Sequence, residues 1–175
     1  MKNYDVIILG AGAAGLMCAG VASQRGLKVA VLEKASKPGK KILISGGGRC
    51  NFTNLGAGPA NFLSANPHFA KSALARYTPS DFIEMVDRHG IAWHEKTLGQ
   101  LFCDGSAKQI VQMLLDECEP SVDVICDAEV SAVVKDGDDF AVSASDENYS
   151  APALVIATGG PSIPKMGATG LAYDI

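Results

Sequence analysis

The sequence lacks several features that would assign it to a specialised class of protein. Only 6% of its 175 residues are aromatic, and its five cysteines are an odd number without a CxxC spacing. This pattern argues against a disulfide framework and a zinc site, and it fits reduced thiols in a cytoplasm. The apolar run at residues 6–22 contains no charge, but it has 17 residues and four glycines, short of the ~20 that span a bilayer. We therefore expect a cytoplasmic globular protein with neither a metal nor a membrane partner.

Acidic residues are scarce in the first fifty residues, and basic residues are scarce in the rest of the chain. Residues 1–50 carry eight Lys/Arg and two acidic residues, a balance of +6, whereas residues 51–175 carry seven basic and seventeen acidic residues, a balance of −10. The acidic balance argues against sequence-independent nucleic-acid binding. The basic beginning suits a small anionic ligand. The predicted partner is a small-molecule substrate and not a nucleic acid, and no particular oligomeric state is predicted.

The pattern of apolar residues divides the chain into four segments. In order they are a βαβ unit at 4–33, a glycine-rich loop at 34–67, a helical segment at 67–119, and a β-meander with a closing strand at 122–160. This order predicts an α/β, Rossmann-like two-dinucleotide-binding fold with a parallel sheet, helices and a β-meander. The length fits one domain. Because the last fifteen residues have loop composition followed by a helix start, we expect a truncated domain.

The same pattern predicts individual elements. Strands are predicted at 4–9, 28–33, 122–126, 129–135, 140–145 and 153–157, helices at 13–25, 67–76, 79–89 and 105–118, and extended chain at 91–103.

The first motif, Gly10-Ala11-Gly12-Ala13-Ala14-Gly15, is a GxGxxG between the first strand and the first helix. Its glycines allow a tight turn, close approach of a pyrophosphate, and close packing of helix on strand, in that order. N–H groups of the first helical turn then face the phosphates. Glu33 ends the second strand 23 residues after Gly10, where its carboxylate accepts hydrogen bonds from a ribose. This carboxylate would repel a 2′-phosphate, so the motif predicts a dinucleotide other than NADP.

The second motif has three consecutive glycines, Gly46–Gly48, flanked by Lys41 and Arg49. Backbone N–H groups in such a run can line an anion or a flat ring, with positive charge beside them. Residues 34–49 contain five basic residues and no acidic one. The alternative is a flexible surface loop with solvated lysines.

The third motif is the apolar strand 153–157 running into Thr158-Gly159-Gly160. After a βαβ unit and a meander, such a turn places backbone and a hydroxyl against the dinucleotide, as in flavin-binding two-dinucleotide folds. The main chain of Val130 is then expected to meet the adenine edge.

Four segments together, GAGAAG, PGKKILISGGGRCNFTN, LGQLFC and VIATGG, carry a resemblance that runs from residue 4 to the end of the chain. The chain resembles the bacterial FAD-dependent oxidoreductase family that includes bile-acid dehydroxylation reductases and proteins labelled aminoacetone oxidases. The resemblance implies non-covalent FAD, with Glu33 on the ribose, Gly12–Gly15 on the pyrophosphate, and Lys41 with Ser45–Asn51 around the ribityl chain and flavin. Where relatives have an arginine and a proline, this chain has Gly99-Gln100-Leu101-Phe102-Cys103, so no role is carried over there.

The resemblance also implies longer family members, with a substrate domain and a return segment to the flavin. We expect both to lie outside this chain, which alone is then expected to be inactive. The predicted cofactor-binding residues are Gly10, Gly12, Ala13, Ala14, Gly15, Glu33, Lys34, Lys41, Ser45, Gly46, Gly47, Gly48, Arg49, Cys50, Asn51, Val130, Thr158, Gly159 and Gly160, and Gly39, Gly167 and Gly170 are assigned to cofactor turns.

The predicted function is hydride transfer through FAD, with NADH or NADPH as the candidate electron donor. One alternative is a nucleotide-binding regulatory module without redox turnover, because no catalytic residue can be named. Another is an FAD-dependent RNA-modifying protein, against which the −10 balance speaks. Cys50 is either a flavin neighbour or a packing residue. His94 lies in an extended segment where it either lines a cavity or alternates in an ordinary strand, and neither it nor the other histidines, His68 and His89, has a partner at metal spacing.

Overall fold

The computed structural model describes residues 1–118 and 120–160, which form two compact units. The first unit comprises residues 1–41 and the described residues from 114 on, and the second comprises residues 42–113. The predicted loop and helix start near the end of the chain, with Gly167 and Gly170, lie outside the described residues.

The strands, in chain order, are β1 Lys2–Asn3, β2 Val6–Leu9, β3 Val29–Leu32, β4 Asn51–Asn54, β5 Trp93–Glu95, β6 Gln100–Cys103, β7 Val122–Ile125, β8 Val130–Asp136, β9 Asp139–Ala144, β10 Glu147–Ala151 and β11 Ala153–Ile156. The α-helices are α1 Ala13–Ser23, α2 Lys40–Ile44, α3 Lys71–Arg76, α4 Pro79–Arg88 and α5 Ala107–Asp116, and short 3-10 turns lie at Ser45–Gly48, Pro59–Asn61 and Thr97–Gly99.

A four-stranded parallel sheet, ordered β11-β2-β3-β7, is the centre of the first unit. Every residue of β2 and β3 is buried, which explains why these strands read as continuous apolar runs and not as alternating ones. Helix α1 packs against β2, β3 and β7.

A second sheet of the first unit, ordered β1-β10-β9-β8, contains the meander. Its side chains share a buried core with those of the parallel sheet, in which Ile7 and Leu9 lie opposite Ala30 and Leu32. The core members are Tyr4, Ile7, Leu9, Ala30, Leu32, Ala128, Val142, Ala144, Tyr149 and Ala151. The Tyr4 hydroxyl donates to an Asp123 carboxylate oxygen at 2.7 Å, and burial with this hydrogen bond raises the pKa of Tyr4 to about 12.

The second unit contains an antiparallel sheet ordered β4-β6-β5, with Leu101 and Cys103 of the central strand fully buried. Helix α4 begins at Pro79 behind a capping box in which Thr78 and Asp81 exchange hydrogen bonds. The Thr78 hydroxyl and the Thr78 N–H both donate to Asp81 Oδ2, and these two bonds lower the pKa of the Asp81 carboxyl.

The predicted fold class, α/β of Rossmann type with a parallel sheet, is confirmed, and the βαβ unit has the predicted elements within a few residues. Three predictions need correction. Residues 34–67 are not all loop, because α2, two 3-10 turns and β4 form there. Residues 122–125 belong to the parallel sheet and not to the meander, and the meander gains a strand, β10, that was not predicted. No helix among residues 1–118 and 120–160 is long and apolar enough to cross a membrane.

Candidate functional site: the glycine turns and Glu33

The GxGxxG turn joins β2 to α1 in the first unit, where the Gly10 N–H donates to the Leu32 carbonyl at 2.7 Å. A Cβ on Gly15 would overlap the Gly10 carbonyl oxygen, so helix and strand approach at a distance that only glycine permits. A Cβ on Gly12, in contrast, would meet no atom of the described chain within 4 Å. Space is therefore open beside Gly12 at the point where α1 begins.

Helix α1 begins at Ala13, and its N-cap residue, Gly12, provides no side-chain cap. The N–H groups of a first helical turn have no partner within the helix. Ala13 and Ala14 in that turn are exposed. The helix start thus offers exposed N–H donors and the positive end of a helix dipole to an anion.

The Glu33 carboxylate is held beside this turn by two backbone donors. Its Oε2 accepts from the Ala11 N–H at 2.8 Å, and its Oε1 accepts from the Ala35 N–H at 2.8 Å. A carboxylate offers about four acceptor positions. Two positions therefore remain for hydroxyl donors such as those of a ribose, on a half-buried group whose orientation is fixed by the backbone.

The third motif lies next to the first in the same unit. The Ala157 N–H donates to the Leu9 carbonyl at 2.9 Å, and a Cβ on Gly10 would lie 2.7 Å from the Ala157 carbonyl oxygen. Thr158, Gly159 and Gly160 follow directly, with Gly159 at φ +72°. Of the three predicted motifs, the structure brings the first and third together.

Other predicted residues of the first unit have more ordinary surroundings. Lys34 forms an ion pair with Glu129 through Nζ and Oε1 at 2.6 Å, on the surface. Val130 begins β8 and is half-buried, and Lys41 is exposed in α2. The Gly39 N–H donates to the Ala11 carbonyl at 2.8 Å, so the basic segment is anchored to the GxGxxG turn at its start.

The triglycine turn belongs to the second unit and has an unusual backbone. Gly46, Gly47 and Gly48 have φ values of +58°, +68° and +88°. A Cβ on Gly46 would lie 2.5 Å from Cε1 of Phe102, so this turn packs directly on that ring. Ser45 to Asn51 all lie in this turn and at the start of β4, with Gly46, Gly47, Arg49 and Asn51 exposed.

Cys50 is 5% exposed, and its N–H donates to the Ser45 carbonyl at 3.0 Å. Burial raises the pKa of the Cys50 thiol to about 11, the neighbouring Cys103 adds to the rise, and a hydrogen bond with the Ser45 side chain opposes it. A thiol in this state is a poor nucleophile at neutral pH. The structure thus favours packing for Cys50, and all five cysteines are free.

Sequence reasoning missed a polar pair on the β5–β6 hairpin. His94 Nδ1 lies 2.6 Å from Asp104 Oδ1, and the His94 ring stacks on Phe102 with 6.2 Å between centroids. Two signals were available: the alternating pattern of β5, which contains His94, and an aspartate, Asp104, ten residues later. That signal is weak, because hairpin register decides whether the two side chains meet.

A family model described as the HI0933-like protein Rossmann domain matches residues 4–175. Over its whole length the chain is 55% identical to the ribosomal RNA dihydrouridine synthase of Escherichia coli strain K12 and 50% identical to that of Haemophilus influenzae. It spans 44% and 45% of those proteins.

One more distant sequence relative and one solved structure of similar fold also match the chain. The 3-dehydro-bile acid delta(4,6)-reductase of Clostridium scindens is 26% identical over 96% of the chain and 42% of that protein. The Mycobacterium smegmatis Sdh1 complex in its apo form superposes with a TM-score of 0.66 at 21% identity, over 91% of this chain and 35% of that one. The expected resemblance needs one correction: the bile-acid reductase is a distant relative, and the two relatives at 55% and 50% identity bear the dihydrouridine synthase name and not aminoacetone oxidase.

Proposed function

The chain belongs to the HI0933-like Rossmann-domain family, and we propose that it forms the FAD-binding part of a flavoprotein oxidoreductase that reduces uridine in ribosomal RNA. The observation that carries the FAD part is the open, uncapped helix start at Gly12 beside the oriented Glu33 carboxylate. The rRNA part rests on the 55% and 50% identities to proteins of that name.

The residues present fit FAD. The space beside Gly12 is the volume that a side chain would fill, and it admits a pyrophosphate to the N–H groups of the first helical turn. Glu33, already oriented by Ala11 and Ala35, would accept from the adenosine ribose. When bound, FAD supplies a ring that accepts and donates hydride.

Lys41 and the segment Ser45–Asn51 are proposed to contact the ribityl chain and flavin, as the family resemblance implies. What supports this is the triglycine turn, in which Gly46 and Gly47 are exposed and all three glycines have positive φ. Backbone N–H groups of successive residues in such turns can bind an anion. Arg49 adds an exposed positive charge there. NADH or NADPH is the proposed source of electrons.

The substrate proposal replaces the expectation of a small-molecule partner. That expectation rested on the acidic balance after residue 50, which describes this chain and not the remaining length that the curated relatives have. Within the chain, residues 34–49 carry five basic residues and no acidic one, a charge that attracts a phosphate backbone, although Lys34 is paired with Glu129.

The experiment has two arms. The complete gene product is purified and its absorbance recorded, and a protein that lacks the yellow flavin bands and takes up no FAD would refute the cofactor assignment. Ribosomal RNA from cells with the gene deleted is then analysed by mass spectrometry. Loss of dihydrouridine, restored by the wild-type gene, is the expected result.

A second candidate function is reduction of an unsaturated small molecule. It is favoured by the 26% identity to the bile acid delta(4,6)-reductase and by the acidic balance after residue 50. Unchanged rRNA in the deletion strain, combined with oxidation of the reduced flavoprotein by a conjugated steroid ketone, would establish this candidate instead.

A further inference from the structure

One face of the second unit's sheet carries a row of side chains in register. Phe102 of β6 lies directly opposite Asn51 of β4 on one side and His94 of β5 on the other. Directly opposed residues of an antiparallel sheet project from the same face. The row therefore places His94 one ring away from Gly46 of the triglycine turn, which packs on the same Phe102.

The His94 ring is fixed by two contacts. It stacks on Phe102 with 18° between the planes, and its Nδ1 lies 2.6 Å from Asp104 Oδ1. A carboxylate only accepts hydrogen bonds, so Nδ1 carries a proton and donates it to Asp104. Nε2 is then the nitrogen that can exchange a proton with a substrate, and no hydrogen bond to it is made within the described part of the chain.

One charged group contacts the His94 ring, and a second lies over the Phe102 ring on which it stacks. Asp104, at the end of β6, holds the imidazole by the hydrogen bond described above, and Lys96 Nζ lies 5.1 Å from the centroid of the Phe102 ring beneath it. Glu95 projects from the opposite face of β5, because successive strand residues alternate. An oriented imidazole with one nitrogen held by a carboxylate is the arrangement of a general acid–base pair.

We propose that His94 is the proton donor of the reduction and that Asp104 is its positioning residue, an inference that rests on the proposed function. In the balanced step the uracil C5=C6 double bond becomes a single bond. C6, the carbon conjugated to the C4 carbonyl, receives a hydride from the reduced flavin, which is thereby oxidised. C5 receives the proton from Nε2 of His94, which enters the step as the imidazolium with a proton on each ring nitrogen. The ring leaves the step as neutral imidazole with its remaining proton on Nδ1, towards Asp104, and a proton from solvent restores the imidazolium.

The test follows flavin reoxidation in the complete gene product, reduced beforehand under anaerobic conditions and mixed with unmodified in-vitro-transcribed rRNA. His94→Asn is expected to slow reoxidation and dihydrouridine formation about 10²- to 10⁴-fold. Glu95→Gln, on the same strand but the opposite face, keeps the wild-type rate. Added imidazole is expected to restore part of the activity in His94→Ala, which separates proton donation from a folding defect.

A measurement without cofactor or substrate tests the positioning role. In the apoprotein, at a pH where the His94 ring carries a single proton, ¹⁵N signals are expected to show that proton on Nδ1, and Asp104→Asn is expected to redistribute it between the nitrogens. Unchanged signals in Asp104→Asn overturn that role. A His94→Asn protein as fast as wild type overturns the donor role, whereas a wild-type protein that binds FAD but leaves rRNA unmodified refutes the substrate, and with it a donor to uracil.

Discussion

The two glycine-rich turns require glycine for different physical reasons. In the GxGxxG turn, glycine is required by proximity, since a Cβ on Gly15 would overlap the Gly10 carbonyl oxygen. In the triglycine turn, glycine is required by conformation, since Gly47 has φ +68° although no atom lies within 4 Å of its Cβ position. Position 15 of the first turn cannot admit a side chain without moving a strand or a helix. Position 47 of the second turn can admit one at the cost of local strain.

Substitution of Gly15, the glycine in closest contact with another backbone atom, should cause the largest loss of stability. Gly15→Ala forces a methyl group onto backbone that cannot rotate away, so we expect a loss of more than about 3 kcal/mol in the free energy of unfolding. Urea denaturation of the two proteins measures it. A Gly15→Ala protein of wild-type stability would show that the turn relaxes, and the contrast between the turns would disappear.

Gly12→Ala separates ligand binding from stability within the same turn. Its Cβ meets no described atom within 4 Å, so unfolding should change by no more than about 1 kcal/mol. The methyl group would occupy the space proposed for the pyrophosphate. We expect FAD affinity to fall about 10- to 100-fold, the equivalent of one charge-assisted hydrogen bond, in a fluorescence titration. Unchanged affinity would place the pyrophosphate elsewhere.

The triglycine turn allows a comparison of two neighbours. Gly47→Ala should cost about 1 kcal/mol through its positive φ alone. Gly46→Ala adds a contact of 2.5 Å with the Phe102 ring and should cost about 2–3 kcal/mol. Both values come from urea denaturation. Equal losses would mean that the Phe102 ring shifts without resistance.

The smallest effect concerns alkaline stability of the unit that contains the GxGxxG turn. Tyr4 ionises near its usual pKa of ~10 when unfolded and at about 12 when folded, so its contribution is constant below pH 10 and is lost as the pH rises towards 12. Tyr4→Phe lacks this dependence. The difference in free energy of unfolding between wild type and Tyr4→Phe should therefore shrink from pH 8 to pH 11. Other titrating groups are the same in both proteins, so their contributions cancel in this difference. A constant difference would contradict the raised pKa.

The first turn could be predicted in detail because its signals are local. The strand, the GxGxxG and Glu33 lie within 33 residues, and each glycine has one structural reason. The pair of Glu33 with the Ala11 N–H was not foreseen, although it follows from the same spacing. For the strand, the GxGxxG turn and Glu33, the structure agrees with the sequence prediction.

The second unit was harder to predict because its contacts depend on register. Asn51, Phe102 and His94 are far apart in sequence and become neighbours only through the pairing of β4, β6 and β5. The sequence prediction placed strand β7 in the meander for a related reason. The sequence of a four-residue strand does not determine which sheet the strand joins. Tertiary pairing decides both cases.

The place of β11 in the parallel sheet has a consequence for synthesis on the ribosome. Strand β2 pairs with β3 at once, yet its other edge waits for residues 153–156. At about 5–20 residues per second, roughly 6–24 s pass between the emergence of β3 and that of β11. During this interval a fully apolar strand edge is open to other nascent chains. We expect a ribosome-associated chaperone to protect the edge of β2. We also expect slower translation between β3 and β11 to increase aggregation.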